Sequence, residues 1–170
     1  MHKILLIDDN VAALQGYSEC FAVHEPTIDV TTARSAEAAL GLMESASFDV
    51  VVCDFRLPGM DGLGFVRECR LLGRDPLIVL VTGYGTIDLE EEAAQHGVYA
   101  VLHKPVDPHA FLSVVKRALL RKWLRRLPGS GFALEPERIY RIGSGAVDGV
   151  PLQTAPSRRR RNAHARRAGT

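Results

Sequence analysis

Five polar residues stand within two residues of the ends of short apolar runs of the chain, and their types could carry chemistry. Asp8 and Asp9 follow the first run, Asp54 the third, Thr82 the fourth and Lys104 the fifth. Carboxylates held close together repel one another, and a hard cation such as Mg²⁺ removes that repulsion while also screening an acceptor carboxylate from an anionic phosphoryl donor. The pattern predicts a Mg²⁺ site at the three acids, with Asp54 placed as a phosphoryl acceptor. Lys104 and Thr82 could then bind phosphoryl oxygens.

Each of these residues, taken alone, also has a purely structural explanation. An acid after a strand can cap a helix, Thr82 could be a turn hydroxyl, and Lys104 could be a solvated side chain. Their joint placement argues for function, because ligands of open α/β sheets bind outside the carboxyl ends of the strands.

Five short β-rich apolar runs alternate with five helical patterns, and this alternation indicates the fold class. The runs are residues 3–7, 28–31, 49–53, 77–81 and 99–102. Candidate helix N-caps stand after each run, at Asn10, Ser35, Asp61, Thr86 and Asp107. The alternation predicts an α/β, doubly wound parallel sheet with right-handed crossovers. A strand order of 2-1-3-4-5 would bring the three acids into one crevice.

Four motifs, in their order and spacing, are similar to those of a known family. They are Leu6-Ile-Asp-Asp-Asn10, Asp54-Phe-Arg-Leu-Pro-Gly-Met-Asp-Gly62, Val81-Thr-Gly-Tyr-Gly85 and Leu102-His-Lys-Pro105. Residues 2–123 thereby resemble the receiver domain of two-component response regulators. The Thr-Gly-Tyr-Gly stretch is most similar to receivers attached to transcriptional activators of the nitrogen-regulation and nodulation types. The resemblance implies a flavodoxin-like (βα)5 sheet of order 2-1-3-4-5.

The resemblance also implies how the acidic residues act. Asp54 would accept a phosphoryl group from a sensor histidine kinase, a phosphotransfer protein or a small phosphodonor. Asp8, Asp9 and a carboxyl oxygen of Asp54 would hold the Mg²⁺ cofactor, together with the backbone carbonyl of Arg56. The protein would not be an enzyme beyond its own phosphorylation and dephosphorylation.

The switch residues follow the family pattern with one departure. By resemblance, Thr82 is the switch hydroxyl and Lys104 is the phosphate-binding lysine, followed by a peptide bond that is often cis in the family. Receivers usually have Tyr or Phe three residues before this lysine, where this chain has Val101. Tyr84 and Tyr99 are the nearby aromatic residues that could take part of that role.

The resemblance places output on one surface. Phosphorylation would reshape the face formed by the fourth helix, fifth strand and fifth helix, and output would pass through protein contacts or a homodimer there. Glu90, Glu91 and Glu92 on the fourth helix are interpreted as a solvated face.

An aspartate-nucleophile, Mg²⁺-dependent phosphatase is a rival interpretation of the same acids. Such enzymes usually have a second acid two residues after the nucleophile, and this chain has Arg56 at that position. The extra segment that caps the substrate in such enzymes is also absent from the sequence. The receiver interpretation is therefore preferred.

The charge of the chain is divided between an acidic body and a basic tail. Residues 1–124 hold 11 Lys/Arg and 17 Asp/Glu, whereas residues 125–170 hold 10 Lys/Arg and 3 Asp/Glu. We expect a receiver domain over residues 1–124 and a linker or weakly structured extension over residues 125–153. Residues 154–170 contain nothing that could fill a core, so we expect a disordered Arg-rich tail there.

The basic end of the chain leaves an alternative function open. Residues 138–142 and 147–152 are compatible with a weak hairpin. A nucleic-acid-binding regulator could grip phosphates, without reading sequence, through Arg158, Arg159, Arg160 and Arg161. Arginine runs are more often solvated tails, so a stand-alone receiver remains the first interpretation.

Location and redox state are indicated by what the sequence contains. No stretch approaches the ~20 apolar residues that cross a bilayer, and the first apolar run is too short for a signal peptide. We therefore expect a cytoplasmic protein with no membrane partner. Cys20, Cys53 and Cys69 are odd in number and unclustered, so they are interpreted as reduced thiols in or near the core.

Overall fold

The computed structural model describes residues 1–83, 87–127 and 141–142, in which strands and helices alternate. The elements are β1 (His2–Ile7), α1 (Val11–His24), β2 (Ile28–Ala33), α2 (Ala36–Ser45), β3 (Val50–Asp54), α3 (Gly62–Leu71), β4 (Leu77–Thr82), α4 (Ile87–Gln95), β5 (Ala100–His103), α5 (Pro108–Arg125) and β6 (Arg141–Ile142).

The strands form one parallel sheet in the order β2-β1-β3-β4-β5-β6. The predicted α/β doubly wound fold with strand order 2-1-3-4-5 is therefore confirmed. β1 and β3 are neighbours at the centre, where the chain reverses its direction of travel across the sheet. The sixth position, occupied by β6 beside β5, was not predicted from the sequence.

Apolar layers cover both faces of the sheet. Successive strand residues point to opposite faces, so Leu5 packs with Phe65 in one layer while Leu6 packs with Phe21 and Phe111 in the other. All five of these side chains are almost fully buried. Coverage on both faces explains why β1, β3 and β4 read as continuous apolar runs rather than alternating ones.

Side-chain caps fix where the helices begin. The Asn10 side chain accepts from the amides of the second and third helical residues of α1, at 3.0 and 3.3 Å. Ser35, Asp61 and Asp107 cap α2, α3 and α5 in the same way, as predicted. The cap predicted at Thr86 lies outside the described residues.

Several other predictions also fall outside the described part of the chain. They concern Tyr84, most of the hairpin over residues 138–142 and 147–152, the tail over residues 154–170, and Arg158–Arg161. Within that hairpin region, Arg141 and Ile142 are described, and they pair with β5. Among the helices that the structure describes, none is both long and apolar enough to cross a membrane.

Candidate functional site

Three carboxylates meet at the carboxyl edge of the sheet. Asp8 and Asp9 follow the last residue of β1, and Asp54 is the last residue of the neighbouring β3. One oxygen from each carboxylate lies within 4.8 Å of the others. Asp8 and Asp54 are buried, while Asp9 is exposed. The predicted acids are thus brought together, and their all-oxygen donor set is one that Mg²⁺ prefers.

Lys104 reaches into this cluster from the end of β5. Its Nζ lies 2.9 Å from Oδ2 of Asp54 and 3.1 Å from Oδ2 of Asp8. Burial by itself lowers the pKa of the Lys104 ammonium, but the hydrogen bonds and charges of Asp54 and Asp8 outweigh burial and raise that pKa above its ordinary value. The ammonium therefore stays charged at neutral pH and neutralises part of the carboxylate charge.

Backbone geometry sets Lys104 beside Thr82. Thr82 ends β4 opposite His103, and the Lys104 amide donates to the Thr82 carbonyl oxygen at 2.7 Å. The Lys104-Pro105 peptide bond is cis. Thr82 is fully buried at its strand end. The two predicted phosphate-binding residues are therefore neighbours at the same edge as the acids.

The loop after β3 holds Asp54 in place. The Arg56 amide donates to Oδ1 of Asp54 at 3.4 Å, while the Arg56 side chain is exposed. The Phe55 amide donates to the Val81 carbonyl at 2.7 Å, and its own carbonyl accepts from Gly62. A Cβ on Gly62 would stand 3.0 Å from the Asp54 carbonyl oxygen, so the close return of the loop favours glycine here.

Tyr17 and Cys53 are neighbours of the site that sequence reasoning missed. Burial, followed by the negative charges of Asp54 and Asp8, raises the pKa of the Cys53 thiol well above its ordinary value. Burial is also the main cause of a raised pKa at Tyr17, where the charge of Lys104 opposes those of Asp8 and Asp54. Tyr17 stands seven residues after the α1 cap, a spacing of about two helical turns that could have indicated its side of the helix.

All three cysteines are free, as interpreted from the sequence. Cys53 and Cys69 are buried and Cys20 is half-buried. Burial raises the pKa of all three thiols. They belong to the packing of the domain, and Cys53 also borders the carboxylate site.

The α4–β5 side of the molecule corrects one sequence interpretation. Glu90 is only 2% exposed, and its Oε1 lies 2.9 Å from Nε2 of His103 on β5. The expectation of a solvated face is wrong for Glu90 because this residue stands on the inward side of α4, one turn from the buried Ala93. Glu91 and Glu92 are exposed, as expected.

The aromatic residue described near the predicted switch position is part of the core. Tyr99 is buried just before β5, with the Arg121 guanidinium 5.8 Å from its ring centroid. Val101 is fully buried on β5 itself. A switch role for Tyr99 stays a prediction. The interpretation of Val101 as a departure from the family pattern also stays a prediction.

A doubly wound sheet with three acids, a lysine and a threonine at its carboxyl edge defines an α/β domain of the receiver class. The family model of the response regulator receiver domain matches residues 4–116. The chain belongs to this family.

Relatives and solved structures agree with that assignment. The chain is 32% identical over 151 residues to the C4-dicarboxylate transport transcriptional regulatory protein DctD of Rhizobium meliloti, across 88% of this chain and only 30% of the relative. It is 26% identical over 117 residues to the sporulation initiation phosphotransferase F of Bacillus subtilis, across 69% of this chain and 93% of the relative. A response regulator receiver domain from Clostridium thermocellum superposes with a TM-score of 0.67 at 29% identity, covering 74% of this chain and 99% of that one. The chain therefore spans under a third of the transport regulator but nearly all of the phosphotransferase.

Proposed function

We propose that this chain is a phosphoacceptor of a two-component phosphorelay, phosphorylated on Asp54 in the presence of Mg²⁺. The observation that carries the proposal is the joint geometry of the site. Three carboxylate oxygens lie within 4.8 Å of one another, and Lys104 contacts two of the three acids. Asp8, Asp9, Asp54 and the backbone carbonyl of Arg56 would hold the ion, which supplies positive charge against the approaching phosphoryl group.

The transfer step forms one bond to phosphorus and breaks another, and it needs no reactant besides the phosphorylated donor. A carboxylate oxygen of Asp54 attacks phosphorus, the P–N bond of a phosphohistidine breaks, and the leaving imidazole nitrogen keeps the electron pair and takes up a proton. Lys104 exchanges part of its pairing with Asp54 for a phosphoryl oxygen, and the Thr82 hydroxyl donates to another. The added charge of about −1.5 to −2 then biases the loops that carry these two residues.

The donor is a sensor histidine kinase or a phosphotransfer protein, because those are the partners of receiver domains. The near-complete coverage of a relative named a phosphotransferase supports a role in passing phosphoryl groups. Output runs through protein contacts of the face formed by α4, β5 and α5, or through a homodimer there. The chain turns over no external substrate apart from the formation and loss of its own acyl phosphate.

Intact-mass spectrometry after incubation with acetyl phosphate and Mg²⁺ tests the proposal. Wild-type protein gains one phosphoryl mass, the gain disappears when Mg²⁺ is chelated, and Asp54→Asn gains none. Asp29→Asn is the matched control, since Asp29 is a partly exposed residue near the opposite, amino end of the sheet, on the edge strand β2. An adduct that persists in Asp54→Asn, or none in wild type with any donor, contradicts the proposal.

A further inference from the structure

Two exposed histidines face each other across the groove between α1 and α5. His24 is the last residue of α1, and His109 is the second residue of α5. Their ring centroids lie 6.2 Å apart, with the ring planes inclined by 51°. Among the described residues, no hydrogen bond or ion pair engages either ring. The two imidazoles are therefore available to a ligand that sits between the helices.

The separation of the rings fits an ion held by one nitrogen of each. Zn–N bonds are about 2.0–2.1 Å long, so two imidazoles bound to one ion have their centroids about 5 to 6.5 Å apart. The observed separation of 6.2 Å lies in that range. Because His24 and His109 are exposed, small rotations of their side chains suffice to adjust the angle at the ion.

The groove around the rings has the room and the charge balance for a hydrated ion. Its volume is about 460 Å³, and Glu25, Lys116 and Arg117 also line it. Glu25 pairs with Lys116 at 2.5 Å and offsets its charge, while solvent screens the exposed Arg117. The partial negative charge at the carbonyl end of α1 favours a cation at His24, although the amino end of α5 opposes it.

Cys20 lies one helical turn before His24 but does not act as a ligand. It lines a neighbouring groove together with Tyr17 and Phe111. Burial raises the pKa of its thiol, which therefore stays protonated at neutral pH, whereas metals bind the thiolate. The protein thus offers two imidazoles at this place, and water completes the coordination of the ion.

We propose that His24 and His109 form a binding site for Zn²⁺, separate from the Mg²⁺ site at the carboxylates. Imidazole suits Zn²⁺, whereas carboxylate and water suit Mg²⁺. An ion held by both rings joins α1 to α5 and stabilises the folded state, because the unfolded chain does not hold the two rings together. The inference does not depend on phosphorylation of Asp54, and its test uses no phosphoryl donor.

Isothermal titration calorimetry of the full chain with Zn²⁺ tests the proposal. Excess Mg²⁺ occupies the carboxylates, so that any Zn²⁺ they still take up is the same in every variant. Wild type binds Zn²⁺, and His24→Gln and His109→Gln each bind it at least about tenfold more weakly, since even the loss of an outer-shell partner costs about 10–100-fold in metal affinity. His96→Gln is the matched control and keeps wild-type affinity, because His96 follows α4 and does not line this groove.

Nuclear magnetic resonance of the wild type identifies the ligands without any substitution. The ring C–H signals of His24 and His109 should shift together when Zn²⁺ is added and return when it is chelated. Wild-type affinity in folded His24→Gln or His109→Gln overturns the inference, as does the absence of Zn²⁺ binding in excess Mg²⁺. Should a variant fail to fold by circular dichroism, the wild-type spectra decide, because shifts confined to other histidines exclude the site.

Discussion

The carboxyl edge of the sheet and its β5 side differ in how much of their structure the sequence predicted. At the carboxyl edge, the three acids, Thr82 and Lys104 were all predicted as site residues, and the structure brings them together. On the β5 side, Val101 is fully buried, Glu90 on α4 is paired with His103, and β6 is added to the sheet. The residues of the first region were predicted one by one from the sequence, whereas the contacts of the second were not.

The difference follows from what each region has to do. Phosphoryl transfer needs a few charged groups at fixed positions, because its rate depends on positioning and electrostatic stabilisation. A signalling face needs only two packings whose relative free energies shift, and many side-chain combinations provide that. The chemistry of such a domain therefore depends on single residues and can be predicted from them. Its output depends on how neighbouring elements pack.

The largest effect is expected from Lys104→Met, which removes a positive charge from the carboxyl edge. Two unit charges about 5 Å apart interact by about 3 kcal/mol at an effective dielectric of about 20. Lys104 is one-third exposed, so solvent screening reduces this effect. Isothermal titration calorimetry should show about tenfold tighter Mg²⁺ binding, because the cation no longer competes with an ammonium for Asp8 and Asp54.

Lys116→Met is the matched control for that change. Lys116 also pairs with a carboxylate, Glu25, at 2.5 Å, but it lies on α5 and is over half exposed. Its loss should leave Mg²⁺ affinity within about twofold of wild type. Weaker binding in Lys104→Met would mean that the ammonium organises the carboxylates for the ion instead of competing with it.

Much of the carboxyl edge was predictable because strand ends are visible in a sequence. Each site residue lies within two residues of the end of an apolar run, and parallel strands bring their carboxyl ends to one edge. The side-chain caps at Asn10, Ser35, Asp61 and Asp107 were equally local signals, since each acts within three residues of itself. Local patterns therefore gave both the fold class and the members of the candidate site.

The β5 side was less predictable because its contacts depend on tertiary packing. The run of three glutamates suggested solvation, yet the orientation of α4 against the sheet buries only the first of them. Arg141 and Ile142 form too short an apolar signal to predict a strand, and their partner β5 lies about 40 residues earlier in the chain. A pairing over that distance depends on tertiary contacts, which no local pattern of residues 138–142 describes.

A smaller effect is expected from breaking the Glu90–His103 pair, which joins α4 to β5. Glu90→Ala removes the carboxylate that faces the His103 ring at 2.9 Å. A lost hydrogen bond that leaves a partly buried partner costs about 1 kcal/mol in the free energy of unfolding. Urea denaturation should show this loss, and a double-mutant cycle with His103→Ala should show a coupling of similar size.

Glu91→Ala provides the matched control on the same helix. Glu91 is exposed, and its substitution should change the unfolding free energy by less than about 0.5 kcal/mol. Additive effects of Glu90→Ala and His103→Ala would show that the two residues stabilise the fold independently. The Glu90–His103 pair would then no longer distinguish the β5 side from the carboxyl edge.

The smallest effect is expected on stability at alkaline pH. It tests how far the electrostatic influence of the carboxyl edge extends. Lys104 has a raised pKa in the folded protein, so its stabilising contribution is fully present below about pH 10.4 and is lost as pH rises through that raised value. Burial first, with the charges of Asp8 and Asp54, raises the pKa of Tyr17. The folded state therefore holds the phenolic proton longer than the unfolded state does, and stability again falls as pH rises above about 10.

Tyr17→Phe separates the two contributions. Phenylalanine keeps a ring that can stack on Phe111, whose centroid lies 4.4 Å from that of Tyr17, but it has no proton to lose. Urea midpoints measured from pH 8 to pH 11 should decline less steeply in this variant than in wild type. An equal decline would show that ionisation of Tyr17 is the same in the folded and unfolded states. Because Tyr17 belongs to α1, the combined effect of burial and of the site charges would then not reach the phenol on the helix that covers the site.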